Sequence, residues 1–596
     1  MTRVRMPAFA WLLLLGAALG CASRQLAAGT HQFHINHIGY DRTAPKRAVV
    51  EANGALSTFQ VVDPTNEQRA FEGILTEVSG FSEWGGGPSY YVADFSALRQ
   101  SGIYELRSRG TASAPFAIAD RLLFNSTARA IIEYFRAMRA DESDAAIWSA
   151  DETVSFVDRP GTRDVRGGWY DASGDVSKYL THLSYANFLN PQQIPLVVWA
   201  LGWVYDNAPP LTETRGLLPE LQAEALWGAD FLVRMQDEAG FFYATVFDGW
   251  SGSPGKRQIT AFSGMDGKLN PHYQAAFREG GGMAIAALAR AAHWKKDSKY
   301  FSAARYLESA ERGFRHLTEH NLEYVDDGKE NIIDDYAALL AASELFATTD
   351  QASYLEAARA RAQQLLHRLH AAGYFVADGA TRPFWHASDA GLPVVALVRY
   401  LEVETDAAAK DAALAGIRKH LTHLVAVTSA VPNPYLYARQ QITAQRSAFF
   451  IPHQNESGYW WQGENARLAS ITTAALLGGA VASPAPEEPL GLPRDLSQLA
   501  IAQLDWVLGK NPYDVCMLAG FGRNNPPPYP LSKPEGGTVV GGIANGITGR
   551  EGDGPAIQWD LNAGRDSWKR WRWVEQWLPH TAWYLVSITA LAKAEP

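Results

Sequence analysis

The 596-residue chain is 47% apolar and 19% charged, which allows large buried cores and excludes an intrinsically disordered protein. Its 53 basic and 63 acidic residues give a formal net charge of -10, without the Lys/Arg stripe that a nucleic-acid partner would require. With only Cys21 and Cys516 present, no disulfide framework supports the fold if Cys21 is acylated or removed.

In chain order, Arg3 and Arg5 precede an apolar run through Trp11, Leu12, Leu13, Leu14 and Leu15 that ends on small residues at Gly20 and Cys21. That is the pattern of an export signal, here residues 1–21, too short to span a bilayer. Ala18-Leu19-Gly20-Cys21 resembles a bacterial lipobox, with its Leu one position late. The expected location is therefore outside the cytoplasm: periplasmic, outer-membrane-anchored as a lipoprotein, or secreted. The lipid anchor would be the sole membrane contact.

Between 33 and 119, alternating apolar residues in Ala48-Val49-Val50, Phe59-Gln60-Val61-Val62, Tyr90-Tyr91-Val92 and Gly102-Ile103-Tyr104-Glu105-Leu106 predict short strands and a small immunoglobulin-like β-sandwich. From 120 to 596 the period turns helical. Apolar residues recur at three- and four-residue steps in Ala128–Met138, Leu221–Met235, Ala284–Trp294, Ile333–Leu345, Tyr354–Leu369, Val394–Glu402, Arg467–Leu477 and Leu496–Leu508. Asp495 and Gln498 stand in capping-box spacing at the start of the last of these. With Trp583–Ala592 and further candidates between, about a dozen helices are expected, and a dozen antiparallel helices can close into a double ring. The predicted fold is mainly α, an (α/α)6 barrel preceded by the sandwich. Ser483–Pro489 reads as a stiff linker inside the helical region.

The most informative stretch is Gly167-Gly168-Trp169-Tyr170-Asp171-Ala172-Ser173-Gly174-Asp175-Val176-Ser177-Lys178-Tyr179. Asp171 and Asp175 sit four apart on a glycine-rich loop, where one carboxylate can take a proton from water while the other holds that water. Trp169 and Tyr170 offer flat faces for sugar rings. A polar turn with Asp175 as a helix cap is the plainer alternative. Two more stretches mix aromatics with polar groups: Trp385, His386 and Asp389, and then His453, Glu456, Trp460, Trp461 and Glu464. These are candidate substrate contacts, with Glu456 or Glu464 able to meet hydroxyls or an ammonium group, although core packing accounts for most tryptophans. Asp326, Asp327, Asp334 and Asp335 could hold a structural calcium or form a solvated acidic turn. No HExxH or CxxC spacing is present, so no metal ligands are assigned and no cofactor is required.

The loop resembles that of glycoside hydrolase family 9, inverting β-glucanases whose pattern is GGW-(H/Y)-DAGD-xxKY. Ile35–Tyr40 with Ala44–Ala48, Leu504-Asp505-Trp506-Val507-Leu508-Gly509-Lys510-Asn511-Pro512, and Gly520-Phe521-Gly522 agree with that family in the right order. The resemblance implies Asp175 as general base, Asp171 as the residue that positions water, and a general acid just before the last barrel helix. Glu575 occupies that place, in Trp573-Val574-Glu575-Gln576-Trp577-Leu578-Pro579-His580. An inverting pair should stand about 6.5 to 9.5 Å apart.

Two departures from the family are visible. Ser173 is an extra residue in the loop, expected to be taken up by a bulge, and Asn525-Pro526-Pro527-Pro528-Tyr529-Pro530 replaces a histidine-containing, glucan-binding stretch. The longer loop looks more like a bacterial branch that includes exo-acting glucosaminidases. The expected function is inverting hydrolysis of β-1,4-linked gluco-configured poly- or oligosaccharides. An exo-β-glucosaminidase on chitosan oligosaccharides and a non-catalytic carbohydrate-binding lipoprotein are the alternatives.

Overall fold

The computed structural model describes residues 30–595 except 82–83, 85–88, 209–215, 263, 265–266, 380, 459–462, 530–537, 551–553 and 561–569. The segment expected to be an export signal, Trp460 and Trp461 lie outside the described residues.

Nine strands build the N-terminal unit: β1 His31–His34, β2 Gly39–Asp41, β3 Arg47–Ala52, β4 Thr58–Asp63, β5 Gln68–Val78, β6 Ser89–Asp94, β7 Gly102–Ser108, β8 Thr111–Ala112 and β9 Phe116–Ala119. Their order is β1-β3-β6-β5-β4-β7-β9-β2, with β8 on β7. The first half of β5 pairs with β4 and its last residues pair with β6, so this one strand joins the two halves of the sheet. The alternation seen in the sequence sends Val50, Val61, Tyr91 and Leu106 into one core with Phe33, Phe59, Phe95 and Phe116.

Twelve long helices follow among the described residues: α1 Leu122–Ala137, α2 Ile194–Asn207, α3 Leu218–Arg234, α4 Gly281–His293, α5 Ala303–Tyr324, α6 Ile332–Thr349, α7 Ala352–His367, α8 Leu392–Val403, α9 Ala407–Ser429, α10 Asn465–Ala482, α11 Arg494–Val507 and α12 Leu578–Ala594. Every predicted helix is present, each starting earlier than its apolar repeat. The even-numbered helices contact one another in a closed cycle, α2-α4-α6-α8-α10-α12-α2, and each also packs on its odd-numbered hairpin partner. Sequence explains this division. In α2, Ile194 through Val204 are all buried, and in α12 so are Leu578 through Ala592. A helix apolar all round belongs inside, whereas α5 buries only Tyr306, Ser309, Ala310, Gly313, Phe314, Leu317 and Asn321, one stripe. Gly282 lets α4 approach α6, since a Cβ there would stand 2.8 Å from the Ala337 Cβ.

Buried polar ties lock the inner helices at both ends. Glu344 of α6 accepts from Trp199 of α2, Arg290 of α4 and Arg399 of α8. Asp389, just before α8, accepts from the Gln192 amide and the Trp583 indole of α12. Because hairpins alternate direction, the connections entering the inner helices share one end of the bundle.

Part of that end is not helical. Thr162–Arg163, Val154–Phe156, Gln258–Phe262, Thr245–Phe247 and Lys178–Tyr179 form a small sheet in that order, inside the region read as helical. Strands of two to five residues are too short to leave a period in the sequence. The Asp495 capping box is also corrected: α11 starts at Arg494 with Pro493 as its cap, so Asp495 sits in the first turn, where it still favours the helix dipole.

The two units are tied largely by residues from the segments that carried the family resemblance, with Asp514 just beyond one of them. Asn36 donates to Asp505 at 3.0 Å, Lys510 pairs with the same carboxylate at 2.7 Å, and His37 meets Asp514 at 2.9 Å. Among the described residues, no helix is long and apolar enough to cross a membrane.

Candidate active site

The glycine-rich loop is anchored from beneath by a buried charge cluster. Lys178 donates to Asp151 at 2.7 Å and to the carbonyls of Val165 and Gly167, while Arg257 meets the other oxygen of Asp151 at 2.5 Å. Burial lowers Lys178 to about 8 against the pull of Asp151. Gly168 has φ +72°, and a Cβ there would also meet the Phe231 ring at 2.9 Å, so the turn requires glycine.

Past this anchor the chain pairs with the segment entering α12. The Ser173 amide donates to the Gln576 carbonyl at 2.9 Å, the Gln576 amide donates to the Ser173 hydroxyl at 2.9 Å, and the Leu578 amide donates to the Asp171 carbonyl at 3.2 Å. On its other edge the same segment pairs with 543–545, through Trp577 to Ile543 and Asn545 to Glu575. The expected bulge is instead a tight turn in which the Asp175 amide returns to the Ala172 carbonyl across Gly174 at φ +110°. The extra residue Ser173 thus binds the strip that carries Glu575.

Asp171, Asp175 and Glu575 converge as a result. Asp171 is almost wholly buried, and its carboxylate accepts from the Trp577 indole at 3.0 Å and from Gln193 at the start of α2, with His182 at 3.5 Å. Asp175 and Glu575 remain partly exposed. Burial, then the charge of Asp171, pushes Asp175 up to about 7, with Asp248 adding to the rise and the Ser177 amide and His182 opposing it. Glu575 is held well above the ordinary glutamate range by burial, then by Asp171 and Asp175, with Asn545 pulling the other way. Three neighbouring carboxyls resist ionising together, and burial with the two aspartates favours the protonated form of Glu575. A protonated acid facing an ionisable base is the arrangement that general acid–base hydrolysis needs.

Of these groups, Gln193, Trp577, His182, Asn545 and Asp248 were not singled out from sequence. Tyr529, within the proline-rich replacement stretch, is also close enough for its hydroxyl to feel Glu575 and Asp175.

Several expected substrate contacts are corrected. Trp169 is fully buried and donates to Glu224 at 2.9 Å inside the core, and Tyr170 is buried within the fields of Asp144 and Asp151, so neither forms an aromatic rim. Asp389 is the internal tie between helices described above. The ring of His386 is buried, accepts the amides of Ser388 and Asp389 at Nδ1, and is held neutral by burial at about 3. Glu464 is buried against Arg467 and accepts the Ile451 amide, which leaves no oxygen for a sugar. Glu456 pairs with Arg382, whose guanidinium lies 4.0 Å from the Trp385 ring centre; Trp385 and His453 are themselves largely buried. Arg382, Trp385 and Glu456 form one charged-aromatic cluster at the loop end of the bundle.

Three of the four calcium candidates face arginines, and Asp326 is exposed. Asp327 and Asp334 face Arg278, Asp335 meets Arg361 and Arg368, and Asp334 also caps α6 with Asn331. Among the described residues no group of three or more His, Cys, Asp or Glu side chains could hold a metal ion.

The profile "Glycosyl hydrolase family 9" matches residues 124–538, and "Cellulase N-terminal ig-like domain" matches 28–113. Glu575 lies beyond the first match. A cellodextrinase of Butyrivibrio fibrisolvens is 31% identical over 228 residues, 36% of this chain and 39% of that protein. A xyloglucan-specific endo-beta-1,4-glucanase, BoGH9A, of Bacteroides ovatus is 27% identical over 243 residues, 38% and 40% respectively. The aligned part thus spans about two-fifths of these curated relatives. Among solved structures, a metagenome-derived family 9 endoglucanase superposes with a TM-score of 0.66 at 21% identity, covering 94% of this chain and 99% of that one. A Bacteroides ovatus family 9 structure gives 0.65 at 19% identity, covering 94% and 98%.

Proposed function

This chain belongs to glycosyl hydrolase family 9, and from that membership we propose that it hydrolyses β-1,4-linked, gluco-configured poly- or oligosaccharides with inversion at the anomeric carbon. The carrying observation is the ladder that brings Asp171 and Asp175 against Glu575, some four hundred positions later in the chain. In this reading Glu575 donates its proton to the leaving oxygen, and Asp175 removes a proton from water that Asp171 helps to hold. The closed cycle of inner helices supports reading the helical unit as an (α/α)6 barrel with this site at the end where the inner helices begin.

The two carboxylates considered for an ammonium group, Glu456 and Glu464, both face arginines, which favours a glucosyl over a glucosaminyl substrate. For location, we propose export with Cys21 as the acylation site; palmitate labelling lost in Cys21→Ser supports this, and equal labelling defeats it. The function is tested with Glu575→Gln and Asp175→Asn on cellohexaose, read by NMR of fresh product. Both variants should lose turnover, and the parent should release the α-anomer first. Parent-like rates in either variant, or an initial β-anomer, overturn the assignment.

A further inference from the structure

Glu575 stands beside a buried amide whose orientation is determined by its neighbours. The amide of Ala466, at the start of α10, donates to Nδ1 of His580 at 2.7 Å. That nitrogen therefore carries no proton, and protonating it would set two donors against each other. Burial agrees, lowering His580 to about 3 and keeping the ring neutral. The remaining proton is on Nε2, which lies 2.9 Å from the Asn545 side-chain oxygen and donates to it. The Asn545 –NH2 group must then point the other way, where it donates to the Trp571 carbonyl at 2.6 Å and reaches the Glu575 carboxyl. The Asn545 backbone amide holds the Glu575 carbonyl at 2.8 Å, so one residue grips Glu575 at both main chain and side chain. Asn545 and His580 are both fully buried, and no solvent competes for these bonds.

We propose that Asn545, locked in one amide orientation by His580, is a positioning residue that aims the Glu575 carboxyl and favours its ionised form after it has given up its proton. This rests on Glu575 being the general acid. Among the described residues, the titratable groups whose charge reaches Glu575 are Asp171 and Asp175 of the loop, Tyr134 of α1 and Tyr529 of the proline-rich stretch.

The test is the pH dependence of kcat/KM for Asn545→Ala, the near-isosteric Asn545→Asp, and His580→Ala. Losing a donor to the carboxylate raises the acid's pKa, so the alkaline limb should move up by about half a unit or more in Asn545→Ala and further in Asn545→Asp, which adds a like charge. His580→Ala, which frees the amide to turn over, should shift the limb the same way. Plateau kcat should fall about tenfold with KM within about twofold, since the interaction serves the transition state. A fall in kcat with the limb unmoved would mean a merely structural role and overturns the proposal, as does a profile that superimposes on the parent. Should Asn545→Ala fail to fold, Asn545→Asp carries the test. Full activity in Glu575→Gln would instead sink the underlying assignment, a separate result.

Discussion

Replacing Ser173 by Ala deletes one oxygen from the junction between the two halves of the site. Its hydroxyl is the acceptor for the Gln576 amide at 2.9 Å, one residue after the proposed acid. Ser173 and Gln576 are 1% and 2% exposed, so water cannot take over the bond. An amide left unpaired in that setting costs about 1–3 kcal/mol. The reverse bond, from the Ser173 amide to the Gln576 carbonyl, survives the change, and the loop should stay attached but loosened. If that cost is felt as misalignment of Glu575 against Asp175 in the transition state, kcat falls about 5- to 150-fold, since each 1.36 kcal/mol is tenfold. KM should change little, because Ser173 is buried and does not face a substrate. The assay is steady-state hydrolysis of cellohexaose, with thermal unfolding as a control for gross damage. A kcat within about twofold of the parent would refute the idea that this pairing sets the acid–base geometry. Ser173→Thr, which keeps the oxygen, should recover most of the loss.

Other outcomes follow from the same structure. With Asp175 pushed up to about 7, the base is protonated below that pH and ionised above it, so the acid limb of kcat/KM should lie near pH 7; a limb near 4 would show that the loop is better solvated than its burial implies. Lys178→Met leaves Asp151 with Arg257 alone and strands two loop carbonyls, a loss of about 3 kcal/mol, the low end for breaking a buried pair; proteolysis at 167–175 unchanged from the parent would argue against an anchoring role. Asp505→Ala strands both Asn36 and Lys510 and should lower the melting temperature while sparing KM; an unchanged melting curve would mean that the N-terminal unit does not brace the helical one.

Periodicity carried the fold far. Strands such as Gly102–Ser108 and helices such as Ala352–His367 bury one face, and one buried face prints an alternation or a three-four repeat directly into the residues. The same local logic located the aspartates of the loop, because both lie within five residues. It could not separate inner helices from outer ones, nor detect the small sheet whose strands are two to five residues long.

Chemistry divided along the same line. Glu464, Asp389 and Glu575 look alike in sequence, each an acid near aromatics at the entry to a helix. Only three-dimensional packing gave Arg467 to the first, two helix ties to the second and a place opposite Asp175 to the third. Residue identity by itself determined which elements form and which acids were available, since those properties depend on neighbours a few positions away. Tertiary structure decided which acid is favoured in its protonated form and which is neutralised, because burial and the hydrogen-bond partners of the buried acids, Gln193, Trp577 and Asn545, come from distant parts of the chain.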